Sequence, residues 1–136
     1  MKNKDDYGKQ QAAAQLESII EMVNNLKQAQ EKKNEKEIES AQQSIQEDPL
    51  SVEVRSGWYQ PGVIYSDDSR QPEEFTILLC TGGPACRIIG GLDEHLQPEN
   101  AKIEYQDWGT PWTNYDLTYD QEKTVVEYCQ QFYFGE

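Results

Sequence analysis

The sequence predicts an α+β fold: an N-terminal helix or helical hairpin followed by a four-stranded antiparallel sheet with a C-terminal helix. Three observations predict it. Residues 9–47 contain no Gly or Pro and place apolar residues at three- and four-residue steps. Residues 52–108 hold short alternating runs separated by Gly- and Pro-containing turns. Beyond residue 117 the helical period returns behind a capping-box pattern.

The first region is rich in Ala, Gln, Glu and Lys, all good helix formers. Leu16, Ile19, Ile20, Val23 and Leu26 form one apolar stripe. The stripe lapses between Leu26 and Ile38, where Ala29 is the sole apolar residue, and resumes at Ile38, Ala41 and Ile45. Two forms satisfy this pattern. One is a single helix of about 57 Å with a solvated middle. The other is two helices folded back near Lys33 and Asn34. So narrow a stripe must be covered, by self-association, by the chain's own domain or by a partner. Asp48-Pro49 ends the region, because a residue before Pro avoids the helical conformation.

The strands come next. Val52, Val54, Ser56 and Trp58 alternate with Glu53, Arg55, Gly57 and Tyr59. Residues 75–80 (Phe-Thr-Ile-Leu-Leu-Cys) are apolar on both faces, which predicts a central strand. Thr81-Gly82-Gly83-Pro84 is a turn, and Cys86 to Ile89 is the return strand. A longer connection through Pro98 leads to a fourth strand carrying Ile103 and Tyr105. Gly109-Thr110-Pro111 ends it. Thr118 and Gln121 then open a helix whose Val125, Val126, Cys129 and Phe132 share a face. The expected organisation is a helical arm over 1–47 and an acidic α+β domain over 48–136.

Charge is lopsided along the chain. Residues 47–136 carry seventeen carboxylates against five basic residues, a net of −12, whereas residues 1–46 are nearly balanced. All Trp and Phe and seven of the eight Tyr lie in the same acidic region. A folded surface of this sign repels nucleic acid and attracts basic protein surfaces. No apolar run is long enough for a membrane helix, and the first residues lack the apolar stretch of a signal peptide. Cys80, Cys86 and Cys129 have no metal-ligand spacing. They are expected as free thiols in a reducing cytoplasm, with a Cys80–Cys86 bridge across a hairpin as the lesser alternative.

Topology sharpens the charge argument. In an up-and-down meander the first and third connections lie at one end of the sheet. Those connections hold Asp67, Asp68, Glu73, Glu74, Asp93, Glu94 and Glu99. Acidic loops of this kind commonly do no more than keep a small domain soluble. The functional reading is a carboxylate rim that imitates phosphates and occupies a basic groove. A calcium loop is not indicated, since no Asp-x-Asp-x-Asp-Gly run is present.

Catalytic signatures are missing. His95 is the sole His, and topology puts it at the far end from Cys80 and Cys86, which disfavours a Cys–His pair. Gly82-Gly83 lacks the Gly-Lys-Ser/Thr ending of a phosphate loop. A carboxylate-and-metal hydrolase is compatible with the residue types but finds little room for a cleft. No enzyme activity, cofactor or metal is expected. Trp58, Tyr59, Trp108, Trp112 and Tyr115 are candidates for either core or binding surface.

The segments Leu79 to Gly90 and Glu104 to Trp112 resemble a family of small uncharacterised proteins carried by phages and other mobile elements. The resemblance spans roughly residues 52–136. It implies an inhibitor of a bacterial defence system, of the anti-CRISPR kind. Such a protein covers the basic channel or the PAM-reading cleft of a Cas9-like nuclease in the bacterial cytoplasm. It carries no functional residue across. The expected partner is therefore a basic protein surface, with no direct contact to nucleic acid or membrane. The acidic rim Asp67, Asp68, Glu73, Glu74, Asp93 and Glu94 would bind it. The alternative is an oligomerising module, self-associating through Leu16, Ile19, Ile20, Val23 and Leu26.

Overall fold

A computed structural model describes residues 4–58, 61 and 71–135. The order is α1 (Lys4–Lys32), α2 (Glu35–Glu47), β1 (Ser51–Ser56), β2 (Pro72–Cys80), β3 (Ala85–Gly91), β4 (Lys102–Gln106), β5 (Thr113–Tyr115) and α3 (Tyr119–Cys129). The fold is α+β. Its sheet has five antiparallel strands in sequence order, an up-and-down meander. The predicted four strands are corrected by β5, whose three residues are shorter than a recognisable alternating run.

The helical region is a hairpin. Lys33 takes a left-handed conformation (φ 55°) and Asn34 caps α2 by accepting the Glu37 N–H. The chain thus reverses where its apolar stripe lapses. Ile38 and Ala41 pack half-buried and Ile45 is fully buried, so the resumed stripe of α2 joins the core.

The stripe of α1 is buried too. Leu16, Ile19, Val23 and Leu26 lie in one cluster with Phe75, Ile77, Ile88, Ile103, Val125 and Tyr128, and Ile20 packs at its margin. Helices α1 and α3 therefore cover one face of the sheet. This corrects the reading of Leu16, Ile19, Ile20, Val23 and Leu26 as a self-association surface. A sheet whose inner face is all apolar demands a cover, and the nearest amphipathic helix in the chain supplies it.

Phe75, Ile77 and Leu79 of β2 point into this core, while Glu74, Thr76 and Leu78 point away. Helix α3 begins with the predicted capping box, Thr118 and Gln121 each accepting the other's main-chain N–H. Its Tyr128 hydroxyl donates to Asp48 at 2.7 Å, holding α3 to the end of α2. The chain after α3 turns back, and Phe134 packs on Phe75 with ring centroids 5.1 Å apart. No helix is long and apolar enough to cross a membrane among the described residues.

Candidate functional site: the acidic end of the sheet

The meander brings the end of β1, the start of β2 and the β3–β4 connection to one end. Leu92 N–H donates to the Glu73 carbonyl at 2.8 Å, and Glu74 stands opposite Gly91. Glu73 and Glu74 thereby neighbour the loop carrying Asp93, Glu94 and Glu99. The start of α3 reaches the same end, where Glu122 accepts the Ala101 N–H at 3.4 Å. Asp67 and Asp68 lie outside the described residues.

The four described members of the predicted rim are not equivalent. Glu74 receives Arg55 Nε at 2.7 Å, which holds its carboxyl below the ordinary range and neutralises its charge locally. Asp93 is tied to its own loop. It accepts the N–H groups of His95 at 2.8 Å and Gln97 at 3.0 Å, and these lower its pKa, the Gln97 bond most. This arrangement is an Asx-type turn, and it stabilises the left-handed Leu96 that follows. Glu94 lies 3.5 Å from His95 and is highly exposed. Glu73 and Glu99 are exposed with no ion pair among the described residues. Among these described carboxylates of β2 and the β3–β4 connection, Glu73, Glu94 and Glu99 carry the outward charge, while Glu74 and Asp93 shape the scaffold.

The sequence marks Trp58 as a candidate for core or binding surface, and it singles out neither Tyr119 nor Tyr133. Trp58, just beyond β1, is fully exposed. Tyr119 at the start of α3 and Tyr133 beside Leu96 are also exposed. Their placement depends on which helix and strand ends meet, and no local pattern reports that. At the opposite end Trp108 lies over Gly83 and is 78% exposed, so Trp58 and Trp108 are surface residues, while Trp112 and Tyr115 are half-buried. Tyr59 lies outside the described residues.

The cysteines are free thiols. Cys80 and Cys86 stand opposite each other on β2 and β3. Burial pushes the Cys86 thiol up to about 12 and raises Cys80 and Cys129 as well, so none is a thiolate near neutral pH. His95 lies in the β3–β4 loop, at the other end of the sheet from both. Among the described residues no three His, Cys, Asp or Glu side chains are grouped as a metal cage. No family model, curated protein or solved structure matches this chain.

Proposed function

We propose that this chain is a non-enzymatic binding protein whose acidic sheet end docks on a basic protein surface. The observation that carries the reading is the placement of exposed Glu73, Glu94 and Glu99 at one end of the sheet, where exposed Trp58 follows β1 and exposed Tyr119 opens α3. Carboxylates steer the encounter with a cationic cleft, and exposed aromatics supply the anchors from which binding energy usually comes. The finer reading is a phage-type inhibitor in the bacterial cytoplasm, of the anti-CRISPR kind. Its acidic end would sit in the nucleic-acid channel or PAM-reading cleft of a Cas9-like nuclease. Support for that step is electrostatic complementarity together with the resemblance of residues 52–136 to mobile-element proteins.

The test is titration of the full chain into a purified, guide-loaded Cas9-type nuclease while target cleavage is followed. The reading expects stoichiometric inhibition without modification of enzyme or DNA. It expects loss of inhibition in the variant Glu73→Gln/Glu94→Gln/Glu99→Gln. Inhibition that survives this variant unchanged contradicts the acidic-end reading, and failure to inhibit contradicts the nuclease.

A further inference from the structure

The outer face of the sheet, away from the helices, is a separate feature. Pairing in register sorts its side chains into rows across the strands, because residues directly opposite in an antiparallel pair share a face. One row reads Leu78, Arg87, Glu104; the next reads Glu53, Thr76, Ile89, Lys102; a third reads Arg55, Glu74, Gly91. A concavity of about 550 Å³ lies over the second and third rows, bordered by Arg87 and Asn100. That volume falls in the range of small-ligand sites, about 300–1,000 Å³.

The acidic region has only five basic residues, and three of them, Arg55, Arg87 and Lys102, line this one concavity. Two are already partnered. Arg55 pairs with Glu74, and Arg87 lies 2.8 Å from Glu104 with its guanidinium 4.0 Å above the Trp112 ring. Once those pairs are set aside, two charges remain without an ion pair among the described residues. They are Glu53 on β1 and Lys102 on β4, at opposite ends of the same row. Three strand spacings separate them, about 14 Å at 4.8 Å each. Between them lie Thr76 and half-buried Ile89. Beside Lys102, Asn100 uses its carbonyl to accept the Gly91 N–H at 2.9 Å, which leaves its NH₂ as a donor.

From this row we infer a binding site for a short zwitterionic peptide, lying across the strands with its ammonium at Glu53 and its carboxylate at Lys102 and Asn100. The apolar middle of the peptide rests on Ile89. A simple anion fits less well, since the surrounding region carries −12 and the face itself is balanced. A simple cation meets Arg55, Arg87 and Lys102. An extended tri- or tetrapeptide carries its terminal charges roughly 10–13 Å apart, which the two side chains can bridge.

The probe is a pool of Ala-X-Ala tripeptides, X being Leu, Ile, Val, Phe or Met, titrated to millimolar concentration into the ¹⁵N-labelled full chain. Saturable amide shifts centred on Thr76, Ile89 and Gly91 are expected. The same pool N-acetylated and C-amidated should bind at least about tenfold more weakly, as should the free pool against Lys102→Met or Glu53→Gln, the scale of one charged hydrogen bond. Both residues are exposed, and the amide spectrum reports whether each variant stays folded. Absence of saturable shifts overturns the site. Equal binding of blocked and free peptides, or shifts centred elsewhere, overturns it too.

Discussion

The main-chain N–H of Gly8 donates to Oδ1 of Asp107 at 2.9 Å, joining the first turns of α1 to the end of β4 across 99 positions of sequence. Asp107 is buried. Its other oxygen has no hydrogen-bond partner among the described residues. The tip that follows is fixed by Thr110, whose hydroxyl accepts the Asp107 N–H and donates to the Asp107 carbonyl. One carboxylate thus positions α1 on the sheet.

Gly8→Ala tests this latch. In an exposed helix the change would stabilise by about 1 kcal/mol through propensity. Here the new Cβ would come within 2.7 Å of the Tyr105 ring and 2.8 Å of the buried Asp107 carboxylate. Overpacking of this kind costs about 1–3 kcal/mol, so the net effect should be destabilising in urea denaturation. Asp107→Ala should cost about 1.5–3 kcal/mol by removing the charged acceptor that ties Gly8 of α1 to the sheet.

Helix α1 should be indispensable to the fold. Ile19 is fully buried against the sheet cluster, and Ile19→Ala should cost about 2–5 kcal/mol. Residues 47–136 alone should lack dispersed amide resonances, because removing α1 and α2 uncovers the apolar sheet face. A well-folded truncated chain would show that the helices are an optional cover.

Gly90→Ala should be among the most damaging single changes in the sheet. An added Cβ would run into the Asn100 carbonyl and the Phe75 ring. Backbone cannot yield as a flexible side chain does, so several kcal/mol, or loss of soluble protein, is expected. Thermal melting of the variant checks it.

Alkaline pH should unfold the protein earlier than acidity of the surface alone would suggest. Burial raises the Cys86, Cys129 and Tyr128 pKa values, and for Tyr128 the adjacent Asp48 adds to it. In the unfolded chain thiols ionise near 8.5 and the phenol near 10. The stabilisation is therefore complete below about pH 8 and is lost as pH rises, since the unfolded state sheds protons that the native state keeps. Each group contributes a slope of up to about 1.4 kcal/mol per pH unit. For Cys86 that slope ends when the native thiol itself ionises, at about 12. Cys129→Ala should lower stability at neutral pH and flatten the alkaline decline of the urea midpoint.

Much of the architecture was legible because local chemistry dictates it. The Thr118–Gln121 capping box and the Asp48-Pro49 stop each act within a few residues, whereas the lapse of the stripe before Asn34 fits one long helix as well as a hairpin. The start of α1 was not legible. Gly8 reads as a helix breaker, yet α1 begins at Lys4, and the glycine is there because Tyr105 and Asp107 leave no space for a side chain. Strand β5 escaped because three residues carry no period. Glu73, Glu74, Asp93 and Glu94 stand at one end because meander topology places the ends of the strands, while Asp67 and Asp68 lie outside the described residues. The neutralisation of Glu74 was not legible, because the Arg55–Glu74 pair depends on register between β1 and β2.

Under the proposed function, the acidic end of the sheet engages a cationic protein surface. The most direct measurement is the association rate of the full chain with an immobilised guide-loaded Cas9-type nuclease, recorded over a range of salt concentrations. The wild-type rate should fall steeply with salt, and the Glu73→Gln/Glu94→Gln/Glu99→Gln variant should associate more slowly with a flatter dependence. Identical rates and identical salt slopes for the two proteins would contradict the claim.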